Sequence, residues 1–367
     1  MNNNTLKQRQ YSLLAFFMPF VFKFVMLPAM LQEYAGRDSW VAILFITILE
    51  FLQLAIIVAV DNLGGIKAVK EKYGKFTLFA VTAPLIFVAG SKLVVLGIEV
   101  VNYATSYLFY NITGEKVSIV LFAVIFYVAV KRAKTLGRLA DVMLWMLPVI
   151  ALVGIFFGRV DLNENYVMPI MAEGVGGVAK GLDKYIMWTF DLTPLLFFER
   201  DKGKREKIPS VLIASICSIV FITGLYVLYV MNYGGGGVLI NNAFSSLGSF
   251  NVVNTEIGSI DWPTITVWLS MAVITLSAKV SAVGRICEEV GVKYEVVTFI
   301  FSAIACIVSV VFAYNPERAI EYATGVVRYV VVGLDVLVPI VLYILLFIAN
   351  RVKSRKTVGG AIIEKVN

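Results

Sequence analysis

The sequence predicts an all-α, polytopic membrane protein of ten transmembrane helices, built as two five-helix halves of opposite orientation, with helices one and six broken. Three observations carry that prediction. The first is composition: 59% of the 367 residues are hydrophobic, 16% are charged and mean hydropathy is +0.84, far more apolar than a soluble domain of this length. The second is the length of the apolar runs, because a hydrocarbon layer of ~30 Å needs about 20 helical residues. The third is a pair of apolar runs with faults near their middles. FFMPFVFKFVMLPAM contains Pro19, Lys23 and Pro28, and KYIMWTFDLTPLLFF contains Asp191, Thr193 and Pro194. A charge at mid-membrane costs about 2.5 kcal/mol or more on insertion scales, and proline removes a backbone donor and clashes with the preceding turn. Interrupted spans are tolerated where they line a cavity, and several transporter folds build their substrate site from two of them.

The elements follow in order. Span one covers about Tyr11 to Leu31, and a turn through Ala35–Ser39 caps span two, about Trp40 to Val60, which carries Glu50. The link Asp61–Lys75 contains a basic amphipathic piece, IKAVKEKYGK. Span three, about Phe76 to Tyr110, carries Lys92, Glu99 and Asn102 and is too long to cross untilted. Span four is about Val117 to Val130 and span five about Leu139 to Phe157. An external loop then leads to the broken span six, about Val178 to Phe198. Span seven is about Pro209 to Met231, and the loop after it, running to about Ile260, has room for a short external helix. Span eight is about Asp261 to Val283, with Thr275, Ser277 and Lys279; span nine is about Val297 to Ala313; span ten is about Val330 to Ala349, with Asp335 and Pro339.

The basic residues test this layout. With the N-terminus inside, cytoplasmic segments hold 22 Lys and Arg and external ones 7, the asymmetry expected of a correct topology. Both termini are therefore expected in the cytoplasm, and the first apolar run reads as an uncleaved span. The whole chain, 1–367, is expected to be one integral membrane domain, with repeats at about 11–157 and 178–349. An odd number of crossings per half forces the halves into opposite orientation. In such folds the broken spans face each other and offer free amides and carbonyls to a small polar ligand.

Composition also excludes functions. The chain has no histidine, which removes His-based metal sites, histidine proton relays and His-dependent triads; no metal, cofactor or enzyme activity is expected. Its net charge of +7 sits in short loops rather than on one face, so nucleic acid is not an expected partner. Gly234–Gly237 follows no strand and lacks a Lys-Ser/Thr ending, so it is not a phosphate loop. Cys217, Cys287 and Cys306 read as small buried packing residues.

Candidate chemistry falls to the buried charges. Glu50, Glu99, Asp191 and Asp335 nearly balance Lys23, Lys92 and Lys279, which suggests mutual pairing. Lys23 and Asp191, one from each break, either meet at the centre or each pair with a different neighbour. Glu99 is a candidate proton carrier or a structural acid, and its seven-residue offset from Lys92, about 10 Å along a helix, argues against their pairing. Ser277 and Lys279, two residues apart, cannot face the same way. Phe22, Tyr103 and Trp188 are candidate site walls or simple packing residues, and Thr193 is a polar group beside the second break.

Three stretches carry a family resemblance: MLPAMLQEYAGRDSWVAILF (26–45); MPIMAEGVGGVAKGL (168–182) leading to LLFFERDKGKREK (195–207); and GSIDWPTITVWLSM (258–271). Together they resemble the B-subunit, GerAB-type proteins of endospore nutrient-germinant receptors, within the amino acid-polyamine-organocation transporters. The resemblance implies an amino-acid-permease fold and recognition of a small nutrient, an amino acid, between broken helices one and six. It also implies signalling to A-type and C-type partner subunits in the spore inner membrane. The family's small residues at the first break are replaced by Val21, Phe22 and Lys23; Asp191 stands near a glycine position, Thr193 near an acidic one, and Asp261–Trp262 where the family has an acid and an arginine. A proton-coupled amino-acid permease, with Asp191 or Glu99 as coupling acid and a lysine in place of a bound cation, is the first alternative. A non-binding membrane scaffold is the second.

Overall fold

Prolines, glycines and buried polar groups decide where the long apolar runs of this chain are divided. The computed structural model describes residues 5–23, 25–108, 111–157, 162–201, 210–240 and 262–363. The expected external helix before Ile260, the basic loop after Asp201 and Asp261 lie outside these residues. Helix α1 (Gln8–Phe20) is followed by one 3₁₀ turn, Val21–Lys23, and α2 (Leu27–Ala35) restarts with Pro28 in its first turn, where a missing N–H leaves no ladder bond broken. The interruption of the first span is therefore real.

A 3₁₀ turn, Gly36–Asp38, enters α3 (Ser39–Asn62). Asp38 does not cap α3 through its side chain. Its carboxylate accepts from the amides of Met171 and Glu173 at 2.8 and 2.9 Å instead, because that loop has exposed donors and no ladder of its own. The basic amphipathic piece forms α4 (Gly65–Tyr73) as expected. The third run is not one rod. Pro84 separates α5 (Lys75–Thr82) from α6 (Pro84–Tyr103), and α6 runs on into a π-type turn, Ala104–Leu108. Helices α7 (Gly114–Val130) and α8 (Ala133–Phe157) follow.

The sixth span departs most from a helix. Its first half is α9 (Gly174–Lys184), but the second half is not α-helical. A 3₁₀ turn, Ile186–Trp188, an extended Thr189, and Phe190 at φ +65° lead to a second 3₁₀ stretch, Thr193–Phe197. The chain then forms β2 (Glu199–Arg200), which pairs in parallel with β1 (Thr5–Leu6), Thr5 opposite Glu199 and Leu6 opposite Arg200. Helix α10 (Ser210–Tyr233), α11 (Trp262–Glu288), α12 (Tyr294–Ala313), a short amphipathic α13 (Pro316–Thr324) and α14 (Val327–Ile363) complete the chain. The last helix keeps Pro339 inside it.

Among the described residues, six helical stretches are long and apolar enough to cross a membrane: 27–62, 75–106, 210–239, 265–288, 294–313 and 327–351. With so many, the chain is an all-α polytopic membrane protein. The stretch within α11 is the most enclosed of the six, and α11 packs against α6, α7, α8 and α12. Helix α12 and much of α14 present apolar side chains outward, among them Phe299, Ile307, Val311 and Phe347. The same outward placement corrects the expectation for the cysteines. Cys217 is exposed and Cys287 and Cys306 are half-buried, because in lipid an apolar residue need not be inside.

Helices α2 and α9, one beside each interruption, pack closely through small residues, as membrane helices do when van der Waals contact must hold them together. A Cβ on Gly177 would stand 2.6 Å from the Tyr34 carbonyl oxygen, whereas one on Gly176 would meet nothing within 4 Å. Gly177→Ala should therefore lower the thermal unfolding midpoint of the detergent-solubilised protein, by the equivalent of about 1–3 kcal/mol of overpacking. Gly176→Ala should leave it unchanged; equal midpoints for both would show that α9 does not approach α2 so closely.

Candidate functional site

Breaking a helix at membrane depth strands backbone groups that water cannot reach, so each needs a partner from the protein. At the first interruption Trp268 Nε1 donates to the Val21 carbonyl at 2.7 Å and the Tyr226 hydroxyl to the Lys23 carbonyl at 2.7 Å. The Met26 amide donates to Glu99 Oε1 at 3.3 Å. At the second, Lys92 Nζ donates to the carbonyls of Thr189 and Phe190 at 2.5 and 2.9 Å and to Asp335 Oδ2 at 2.7 Å. Phe190 accepts a left-handed backbone, unusual for a bulky residue and worth about 1–3 kcal/mol of strain. The Lys92 contacts hold it there.

The charges themselves are paired or hydrogen-bonded in local groups. Lys23 Nζ lies 2.8 Å from Glu50 Oε1 and also donates to the Pro19 carbonyl near the end of α1. Lys279 Nζ lies 2.8 Å from Asp191 Oδ1, with Lys92 at 3.8 Å from the same oxygen. Gln53 donates to Thr193 Oγ1 at 2.9 Å and to the Asp335 carbonyl at 3.2 Å, and the Thr193 hydroxyl bonds the Asp335 carboxylate. Glu99 completes the set. Its second oxygen accepts from Trp188 Nε1 at 3.1 Å, so this one carboxylate holds Met26 of the first interruption and Trp188 of the second.

Several expected site residues are thus brought together and others are not. Glu99, Trp188, Asp191 and Thr193 lie in the network, and Glu99 is not paired with Lys92. Lys23 and Asp191 are not bonded to each other: α3 delivers Glu50 to Lys23 and α11 delivers Lys279 to Asp191, so each break charge is matched by a different helix. Phe22 is fully buried, and Tyr103 packs edge-on to Trp268, the ring that caps the first break, at 5.0 Å between centroids. Ser277 donates to the Ile125 carbonyl on α7, on a different side of α11 from Lys279. Gln53, Tyr226 and Trp268 were not singled out from the sequence. Gln53 alone had a usable signal, one helical turn from Glu50 and so on the same face.

One cavity adjoins this centre and another lies apart from it. A small one of about 20 Å³ is lined by Lys92, Phe190, Thr193, Lys279 and Asp335, room for roughly one water molecule. A larger one of about 200 Å³ lies where the N-terminal strand meets the end of the sixth segment, away from the interruptions, bounded by Tyr11, Leu195, Glu199 and Arg200. Ion pairs rim it, Arg200 with Asp61 and Lys67 with Glu199, both at 2.8 Å. Among the described residues no three acids or thiols converge as metal ligands would.

Fold and site define a class: an α-helical polytopic membrane protein whose interrupted segments are tied by buried charges. No protein-family model matches the chain. It is similar to spore germination protein XB of Bacillus anthracis, 22% identical over 265 residues that cover 69% of this chain and 72% of that protein.

The centre makes a stability prediction. Lys92→Met removes the donor for two buried carbonyls and leaves Asp335 uncompensated, and breaking such a pair costs about 3–5 kcal/mol. The variant should unfold at a markedly lower temperature in detergent, and the double change Lys92→Met with Asp335→Asn should recover part of the loss. A wild-type midpoint for the single variant would show that Lys92 does not carry the break.

Proposed function

We propose that the chain is the membrane subunit of a spore nutrient-germinant receptor. It binds a small nutrient, an amino acid, between its interrupted first and sixth helices, and it signals without catalysing a reaction. The similarity to a spore germination protein supports the germination role, and the observation that carries the binding role is Glu99. Because one carboxylate bonds both interruptions, a ligand that competes for Met26 N–H or Trp188 Nε1–H uncouples them, which converts binding into relative movement of α2 and the sixth segment. In this reading the chain has ten spans in two inverted halves and both termini in the cytoplasm. It lies in the spore inner membrane with A-type and C-type subunits as partners.

A second reading is favoured by Lys92. Its ammonium sits on two backbone carbonyls and a carboxylate, as a bound cation would, which suits a proton-coupled permease that needs no metal ion. The scaffold reading is favoured by the extent to which Lys23, Glu50 and Lys92 occupy the centre themselves.

Titration of the nanodisc-reconstituted protein with single amino acids, read by tryptophan fluorescence, tests the first reading. At least one amino acid should saturate below millimolar concentration. Trp188→Phe, which keeps the ring but loses one charge-assisted hydrogen bond of about 1.5–3 kcal/mol, should change that affinity about tenfold or more. Absence of any saturable response overturns binding, and accumulation of labelled amino acid in vesicles only under a pH gradient selects the permease.

A further inference from the structure

We propose that the buried centre receives the cationic end of its ligand, a protonated amine, on an acceptor site formed by Glu50, Gln53 and Asp191. The inference rests on the reading that a small ligand enters between the interruptions, and it names the chemistry that ligand carries. Among the described residues, the charged side chains buried within the helical core are Lys23, Lys92 and Lys279 against Glu50, Glu99, Asp191 and Asp335, none more than 3% exposed. Lys23, Lys279 and Lys92 pair with Glu50, Asp191 and Asp335, and the fourth acid, Glu99, is held by Met26 and Trp188.

The second observation is where acceptors go unmet. Glu50 Oε2, Gln53 Oε1 and Asp191 Oδ2 are buried without any hydrogen-bond partner, although the other polar atom of each side chain is engaged. The Thr275 hydroxyl, one turn from Lys279 on the same face of α11, is also unpartnered. These groups share one neighbourhood. Glu50 feels the charges of Lys23 and Asp191, and Asp191 that of Lys23, while Gln53, a turn along α3 from Glu50, reaches Thr193, two residues beyond Asp191.

Each lysine already has an acid partner, Lys279 through its bond to Asp191 Oδ1. All three donors of Lys92 are taken by Thr189, Phe190 and Asp335, and Lys23 is fixed between Pro19 and Glu50. A buried acceptor left unmet is costly, and most so when it is charged. An ammonium group brings three donors, matching the three unmet acceptor oxygens. An anionic ligand end would bring acceptors where donors are wanted. At the breaks, the carbonyls of Val21, Lys23, Thr189 and Phe190 already accept from Trp268, Tyr226 and Lys92.

Methylammonium chloride, potassium chloride and potassium acetate, each added at matched ionic strength to the full chain in phosphatidylcholine nanodiscs, test the proposal by thermal unfolding and tryptophan fluorescence. Methylammonium should raise the unfolding temperature saturably, and the two potassium salts should not. Glu50→Gln, which keeps size and one acceptor but removes the charge, should weaken the methylammonium response about tenfold. Gln53→Leu serves the same purpose if Glu50→Gln does not fold. An equal effect of potassium, or undiminished methylammonium binding in both variants, overturns the amine site. If an amino acid such as alanine binds and methylammonium neither binds nor competes with it, the amine site is wrong and the receptor reading stands. If neither binds, both fall.

Discussion

One ammonium group, that of Lys92, decides the shape of the sixth segment. An α-helix satisfies its own carbonyls; this segment gives up that arrangement from Thr189 onward, and the two carbonyls it exposes would be unsustainable in a dry core. Lys92 reaches them from α6 and is itself neutralised by Asp335 of α14. Three separate elements thus meet at one nitrogen. The left-handed Phe190, the 3₁₀ course of Thr193–Phe197 and the inward turn of Asp191 all follow from that meeting.

The remaining charges extend the same logic outward. Lys279 balances Asp191, Lys23 balances Glu50, and Gln53 ties Thr193 to α14. Replacing any one of these groups alone leaves its partner stranded, so the centre is cooperative in the sense that its members are worth more together than in sum. Such networks are weak sources of net stability, since desolvation offsets most of the attraction. Their effect is instead to admit only one relative placement of α1, α3, α6, α11, α14 and the sixth segment.

The sequence revealed the faults in the apolar runs but not what repairs them. Pro19, Lys23 and Pro28 announce the first interruption, and Asp191, Thr193 and Pro194 the second, because a charge or proline at membrane depth is costly wherever it lies. Which lysine meets which acid depends on the rotation and separation of helices far apart in the chain, and this is why Lys23 was open between Asp191 and another acid until α3 was seen to bring Glu50 to it. Tyr226 and Trp268 were hidden for another reason: aromatic side chains are frequent here, and nothing local distinguishes one that caps a carbonyl from one that fills space. Pro84 divides the third run because a proline that starts a helix must also end the one before it. The short α13 carries its own marks, Asn315 followed by Pro316, but at nine residues it is far too short to read as a membrane span.

The pairing of β1 with β2 reaches beyond the helical core. Thr5 and Leu6 are fastened to Glu199 and Arg200, the Asp201 amide bonds the Leu6 carbonyl, and the Tyr11 hydroxyl bonds the Leu195 carbonyl. Thr5 and Leu6 are consequently harnessed to the same backbone that Lys92 bends nine to eleven residues earlier. Displacing that backbone would carry Thr5 and Leu6 with it, a mechanical lever running from the dry interior to the rim.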